Sequence, residues 1–359
     1  MKKVLKRAGV LAVLFLFLLG AYVIYVFTAY ERLPDKLTLE VVQNGGSSHF
    51  EGREVFTTKQ PYFIMTYNIG FGAYRPDYSF FMDGGKSSRG KDEESVTAAV
   101  CGAGDIINSV DPDFVLLQEV DRDGTRSYHI DELELLNQFV KGYYYTYAQN
   151  YDSPFLFFPP WEPHGANRAG LVTYSKAQIT DTMRRSLPIS ESFTKLVDLD
   201  RCYSISRIPL KEGKMLCLYN MHMSAYGSSD EIRTGQLAML YEDMAADYRE
   251  GNYVICGGDF NHNLRFETDE KAPEWAYPFP RESLPAGFRM AIDEAKDAED
   301  IVHNSCRNAN EPYNEQTTYT VTLDGFIVSD NVTVNYYSHM DWGYEFSDHD
   351  PVIMQFMLE

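Results

Sequence analysis

The longest apolar stretch lies at the start of the chain, where Ala8 to Tyr30 contains no charged residue. Lys2, Lys3, Lys6 and Arg7 precede it. About 20 residues of helix cross a hydrocarbon core, so residues 8–30 read as a transmembrane anchor. A cleaved signal peptide has a shorter apolar region and ends on small residues; Tyr25-Val26-Phe27-Thr28-Ala29-Tyr30 is a poor match to such a site. No Cys follows closely, so lipid attachment is not indicated. A buried core helix is the competing reading, and a weak one for so long an uncharged terminal run. Basic flanks stay cytoplasmic. Residues 1–7 then form a short cytoplasmic segment, and 31–359 lie outside a cell membrane crossed once.

Residues 31–60 are polar and contain Gly and Ser, and read as a linker or stalk. Beyond them the period of the apolar positions alternates. Runs at Pro61–Asn68, Asp113–Glu119, Tyr143–Gln149, Gly170–Ser175, Cys202–Leu210, Lys214–His222, Tyr253–Cys256, Thr317–Val321, Gly325–Ser329 and Val352–Met357 predict strands. Helical spacing marks Glu94–Val110, Asp131–Lys141 and Asp230–Arg249; in the last, Ile232, Leu237, Leu240, Tyr241, Met244 and Tyr248 share one broad face. Strands outnumber helices and the two are interspersed, which predicts an α+β domain of two β-sheets covered by helices.

Composition adds that a sizeable core is available, since 44% of the 359 residues are hydrophobic. Charge narrows the partners. The chain has 32 basic and 52 acidic residues, and four basic but no acidic residues precede position 31. The remainder therefore carries 28 against 52, a formal charge of −24. Such a surface repels polyanions, which favours a small or zwitterionic substrate over long nucleic acid. The five Cys residues (101, 202, 217, 256 and 306) form no CxxC pair, so neither a zinc ribbon nor a redox motif is indicated. Cys202 and Cys217 lie on one expected hairpin but out of register, and are expected not to bridge.

Candidate chemistry collects at strand ends, where a rigid sheet aims polar groups from the following loops. These residues are Asn68, Glu119 (after Gln118), His222, Asp259 and Asn261 in Gly257-Gly258-Asp259-Phe260-Asn261, Asp324, and Asp348 and His349 in Ser347-Asp348-His349. Each alone has a plain explanation as a turn residue, cap, solvated strand end or packed His. Together, in this order, they resemble the endonuclease/exonuclease/phosphatase (DNase I-like) superfamily over residues 61–359. The GDxN and SDH motifs are the specific members of the set.

That resemblance implies a four-layer α/β/β/α sandwich and a metal-dependent phosphoester hydrolase. It implies Mg²⁺, with Mn²⁺ as the alternative ion, near Glu119, Asn68 and Asp348; a hard ion prefers such oxygen donors. It implies catalytic roles for Asp259, Asn261, His222, His349 and Asp324, with Asp324 holding His349. Adjacent strand residues point apart, so Asp348 and His349 are expected to face different tasks. The base is then either His349 or Asp259. Arg168, before Ala169-Gly170, is a candidate substrate contact and equally a surface Arg.

The aromatic run Phe155-Leu156-Phe157-Phe158-Pro159-Pro160-Trp161 reads either as an exposed loop leaning on the bilayer or as a loop packed over the core, the second being preferred. Met82–Asp92 reads as a mobile rim loop. The expected function is a membrane-anchored, Mg²⁺-dependent phosphodiesterase acting on a small or lipid-linked phosphoester by in-line attack of water. An extracytoplasmic nuclease and a catalytically silent binding ectodomain are the rivals. No protein partner is indicated.

Overall fold

The computed structural model describes residues 2–30, 32–45, 55–189, 200–224, 230–265, 272–273, 275–294 and 303–359. Helix α1 spans Lys2–Ala29 and is followed by strand β1 (Val41–Gln43). The remaining strands are β2 (Pro61–Asn68), β3 (Phe114–Gly124), β4 (Tyr144–Asp152), β5 (Asn167–Ser175), β6 (Asp181–Ser186), β7 (Cys202–Pro209), β8 (Met215–His222), β9 (Tyr253–Asp259), β10 (Phe288–Met290), β11 (Cys306–Arg307), β12 (Thr320–Val321), β13 (Asp324–Ser329), β14 (Val332–His339) and β15 (Val352–Leu358). The other α-helices are α2 (Glu93–Val110), α3 (Glu132–Leu136) and α4 (Asp230–Arg249). One sheet runs β1-β4-β5-β3-β2-β15-β14, and the second runs β10-β13-β9-β8-β7-β6.

Residue alternation explains how the layers stack. Ile64, Phe114, Leu116, Met354 and Phe356 of the first sheet meet Leu216, Leu218, Ile255, Phe326 and Val328 of the second in one buried core. The neighbours of these residues point the other way. Met65, Tyr67, Val115 and Leu117 pack under Val96, Val100, Ala103 and Ile107 of α2. Tyr219, Met221, Val254 and Cys256 pack under Leu237, Leu240 and Met244 of α4. The result is two sheets face to face with helices outside both. Helix α2 starts on Asp92, whose carboxylate accepts from Ser95 N at 2.7 Å, satisfying an otherwise orphaned donor.

Each sheet contains one parallel pair, β2 with β3 and β8 with β9. A parallel pair places two strand C-termini at the same edge, and here both edges coincide. Just inside that edge a buried polar tie joins the sheets. Gln118 Nε2 donates to Asn220 Oδ1 at 2.8 Å, and Asn220 Nδ2 donates to the Val172 and Leu117 carbonyls at 2.9 and 3.2 Å.

The expectation of a stalk at 31–60 needs correction for the residues that are described. Leu37 bridges to Arg184, β1 pairs with β4, and Phe56 is fully buried in the core. An apolar Val41-Val42 and an aromatic Phe56 have somewhere to go, so the segment docks. Residues 46–54 lie outside the described residues. Strands β6 and β14 were not expected, because Arg184 and Arg185 in one and Asn335 in the other break the apolar alternation. In β6 the polarity is satisfied inside: Arg184 Nε donates to Gln149 O at 2.7 Å. All five cysteines are free; Arg207, not Cys202, stands opposite Cys217.

Two buried histidines make stability depend on pH. Burial lowers His164 from its ordinary value to about 3 and His339 to about 4, only partly offset by the Ser88 and His303 carbonyls that their Nδ1 atoms face. The unfolded chain takes up these protons first, near pH 6.5. Their contribution is therefore complete above that value and is lost as pH falls. Each is expected to cost about 2 kcal/mol at pH 5. Asp348 and His349, both raised in the fold, act in the opposite direction, so the test is the difference: by urea unfolding at pH 7.5 and pH 5, His339→Gln should be less destabilised by acid than the natural chain, by about 2 kcal/mol.

Candidate active site

The site lies where the two sheets' strand ends meet. Asn68, ending β2, is the hub: its Nδ2 donates to Glu119 Oε1 at 3.2 Å and to Asp259 Oδ2 at 3.1 Å, while its Oδ1 accepts from Gly70 N at 3.0 Å. Glu119 has φ +55°, and the pairing of β3 with β5 shifts register at that point. The bulge turns the carboxylate out of the alternation and into the pocket. Such a left-handed conformation in a residue with a Cβ costs of order 1–3 kcal/mol and recurs at functional positions.

From the second sheet, His222 and Asp259 end the parallel pair β8/β9 opposite one another. His222 Nε2 lies 3.5 Å from Asp259 Oδ2 and 3.9 Å from Glu119 Oε1. Burial, then the charges of Arg201, His349 and Arg126, hold His222 well below its usual range, so it is neutral. Asp259 Oδ1 accepts from Asn261 N at 2.8 Å. Asn261, with φ +48°, donates from its amide to Met223 O at 2.8 Å.

Asp324 opens β13 directly across from Asp259. It receives Ser305 Oγ at 2.7 Å and faces His349 Nδ1 at 2.7 Å. His349 Nε2 then lies 3.7 Å from Asp259 Oδ2. Burial pulls His349 down, but Asp324 and Asp259 outweigh it and hold the imidazole well above its usual value. Burial is also the main reason that the Asp259 carboxyl sits above its ordinary range.

Asp348, next in sequence, lines the same pocket as Glu119. Burial, and secondarily Glu119, raise Asp348 to about 7 against the pull of His349 and Arg307. Glu119 and Asp348 offer carboxylate oxygens to this pocket, the donors that a hard divalent cation takes; the Asn68 oxygen beside them accepts from Gly70 N. The acidic groups here fit a metal ion. The Asp259, Asp324 and His349 donor atoms also fall within 4.8 Å of one another, but His349 Nδ1 is already engaged by Asp324.

The pocket is lined by Glu119, His222, Asp259, Asn261, Asp348 and His349 among others. Asn68 and Asp324 stand directly behind these residues. Arg168 is elsewhere: it pairs with Asp123 at 3.0 Å, and its side chain is 49% exposed. The guanidinium groups that reach the pocket belong instead to Arg126, Arg201 and Arg307. Arg126 is held by both oxygens of buried Asp121, at 2.7 and 3.0 Å, and stacks 3.8 Å over Phe71. Arg307 Nη2 donates to the Tyr74 and Arg75 carbonyls at 3.0 and 3.1 Å. The sequence offers one hint of them: Arg201 and Arg307 each adjoin a Cys at a strand start, an odd place for a solvated charge.

The profile of the Endonuclease/Exonuclease/phosphatase family matches residues 65–349. The chain belongs to the endonuclease/exonuclease/phosphatase family. The profile begins on Met65, three residues before Asn68, and ends on His349, so it spans every strand end that builds the pocket. The fold is that of solved members of this family of phosphoesterase-type hydrolases. An endonuclease/exonuclease/phosphatase from Beutenbergia cavernae superimposes with a TM-score of 0.57 at 17% identity, over 84% of this chain and 72% of that one. A family protein from Bacteroides thetaiotaomicron gives 0.54 at 15%, over 84% and 98%. D. rerio TDP2 complexed with a single-strand DNA product gives 0.52 at 16%, over 83% and 99%. A comparison with curated proteins gives no match.

Proposed function

We propose that this family member is a membrane-anchored, Mg²⁺-dependent phosphodiesterase that cleaves a small or lipid-linked phosphoester by in-line attack of water, with its catalytic domain on the outer side. The observation that carries this reading is the convergence of Asn68 Nδ2, His222 Nε2 and His349 Nε2 on the single oxygen Asp259 Oδ2, at 3.1, 3.5 and 3.7 Å. Phosphoester hydrolysis needs an oriented water, donors for the non-bridging oxygens and positive charge near the leaving oxygen.

Asp259 is fixed on its other oxygen by Asn261 N, which leaves Oδ2 to orient the attacking water and accept its proton. Asp324 holds His349 by Nδ1, so Nε2 faces the phosphoryl group as a donor. His222 and Asn261 are placed to donate beside it. Arg201 and Arg307 add fixed positive charge inside an otherwise acidic domain, and so favour an anionic group in this pocket. Glu119 and Asp348, with Asn68 beside them, would hold Mg²⁺; the chemistry it supplies there is neutralisation of developing charge on the phosphoryl and leaving oxygens. Helix α1 is long and apolar enough to cross a membrane, which supports the anchored location.

The full chain in detergent micelles is expected to hydrolyse at least one of sphingomyelin, a lysophospholipid or an inositol phosphate with Mg²⁺, and to lose this activity in EDTA. Cleavage of DNA alone would favour the nuclease reading. Activity indifferent to EDTA would overturn the metal dependence.

A further inference from the structure

The aromatic run after β4 does not pack over the core. Phe157, Phe158 and Trp161 are 60%, 58% and 70% exposed. Their exposure is not slackness, because the loop backbone is pinned. Leu156 bridges to Gly165, Ser88 N donates to Glu162 Oε2 at 2.6 Å, and Arg89 Nε donates to Pro163 O at 2.7 Å. The segment expected to be a mobile rim, Met82–Asp92, is thus one half of a fastened pair of loops. Exposed apolar surface held in place marks an interaction site.

Its neighbour identifies what it meets. Tyr22 Oη of α1 donates to Phe155 O at 3.2 Å and accepts from Phe157 N at 3.0 Å; Tyr25 Oη accepts from Phe155 N at 3.1 Å. The Tyr22 and Phe157 rings lie 5.3 Å apart. From Ala8, where the uncharged run begins, to Tyr22 the helix rises about 21 Å at about 1.5 Å per residue, which leaves Tyr22 about 9 Å short of the far face of a ~30 Å hydrocarbon core. With the basic end of α1 at one membrane face, Tyr22 and the loop bonded to it reach the outer acyl layer, just beneath the opposite interface. Aromatic side chains concentrate at the interface immediately above.

The same surface continues to the pocket. Phe158 meets Phe81 edge to face at 5.8 Å, Phe81 lies 6.0 Å from His164, and His164 with Phe80 and Met82 lines the pocket. We propose that Phe157, Phe158 and Trp161 form a membrane-docking surface seated in the outer headgroup–acyl boundary, and that it turns the pocket mouth onto that bilayer. The substrate is then the phosphoester headgroup of a lipid in the same membrane. The docking rests on the membrane-anchor reading, and the substrate class rests on the phosphodiesterase reading.

The test uses the full chain reconstituted in phosphatidylcholine vesicles that contain lipid brominated near the headgroup. Tryptophan emission is expected to be quenched, and Trp161→Phe to remove at least half of the quenching. Equal quenching in wild type and Trp161→Phe overturns the docking. In a second arm, the triple variant Phe157→Ser, Phe158→Ser, Trp161→Ser is expected to cleave vesicle-borne phospholipid at least tenfold more slowly. Its rate on water-soluble bis(p-nitrophenyl) phosphate should be unchanged. Equal losses on both substrates overturn the presentation role. Absence of hydrolysis in the wild-type chain refutes the phosphodiesterase reading and the lipid substrate with it, while the quenching arm still decides the docking.

Discussion

His349→Ala is expected to lower kcat for Mg²⁺-supported phosphodiester hydrolysis by about 10²–10⁴-fold, the range spanned by positioned donors and acid–base groups. At about 1.36 kcal/mol per decade this is roughly 2.7–5.5 kcal/mol of transition-state stabilisation. The size follows from three features of the same side chain. It is buried, it is held through Nδ1 by Asp324 at 2.7 Å, and its Nε2 stands 3.7 Å from Asp259. Deletion therefore removes a donor from a water-poor site and also leaves Asp324 facing an empty space. KM should change much less than kcat, because the arginines that line the pocket are untouched. Steady-state kinetics on a soluble diester measures both. Full activity in this variant would sink the mechanism.

Gly258→Ala should be the most damaging single methyl group in the domain. Gly258 has φ +146°, a conformation that L residues rarely adopt, and an added Cβ would lie 1.9 Å from the Met221 carbonyl oxygen. That obstacle is backbone of the paired strand β8 and cannot rotate away. Strands β8 and β9 must separate, which breaks their parallel ladder and displaces Asp259 next door. The expected loss is about 4 kcal/mol or more, read as a fall in Tm or as insoluble expression. Gly251→Ala is the control. It also has positive φ, yet its new Cβ meets only the flexible Lys214 side chain at 2.8 Å, so it should cost far less.

The strand-end residues were readable because a motif with a polar residue at a fixed place after an apolar run survives without any knowledge of pairing. Asn68, Glu119, His222, Asp259, Asn261, Asp324, Asp348 and His349 come together around one pocket for that reason. Most strands were readable too, since both faces of β2, β3, β8 and β9 are covered and their runs are nearly all apolar. What escaped is what depends on tertiary partners. Arg168 looked like a substrate contact from its neighbours along the chain, but Asp123, set by a register shift in β3, takes it to the surface. Arg126 is buried only because Asp121 and Phe71 receive it, and neither adjoins it in sequence. Strand β6 hid behind two arginines. Val41 and Phe56 were read as part of a stalk, because their docking sites on β4 and in the core lie far away in the chain.

The tie between Gln118 and Asn220 has a consequence for how this protein fails. Asn68 and Glu119 ride with one sheet, while His222, Asp259 and Asp324, with His349 held by it, ride with the other, and the space between them is governed by that amide pair and by Gly257, where a Cβ would come 2.8 Å from Leu116 Cδ1. The reaction centre is thus a vernier for the alignment of the two sheets. A slip of a few tenths of an ångström, too small to expose the core, would already take Asp259 out of line with Asn68 and Glu119. Catalysis should fade under mild heat or denaturant while spectroscopy still records a folded molecule.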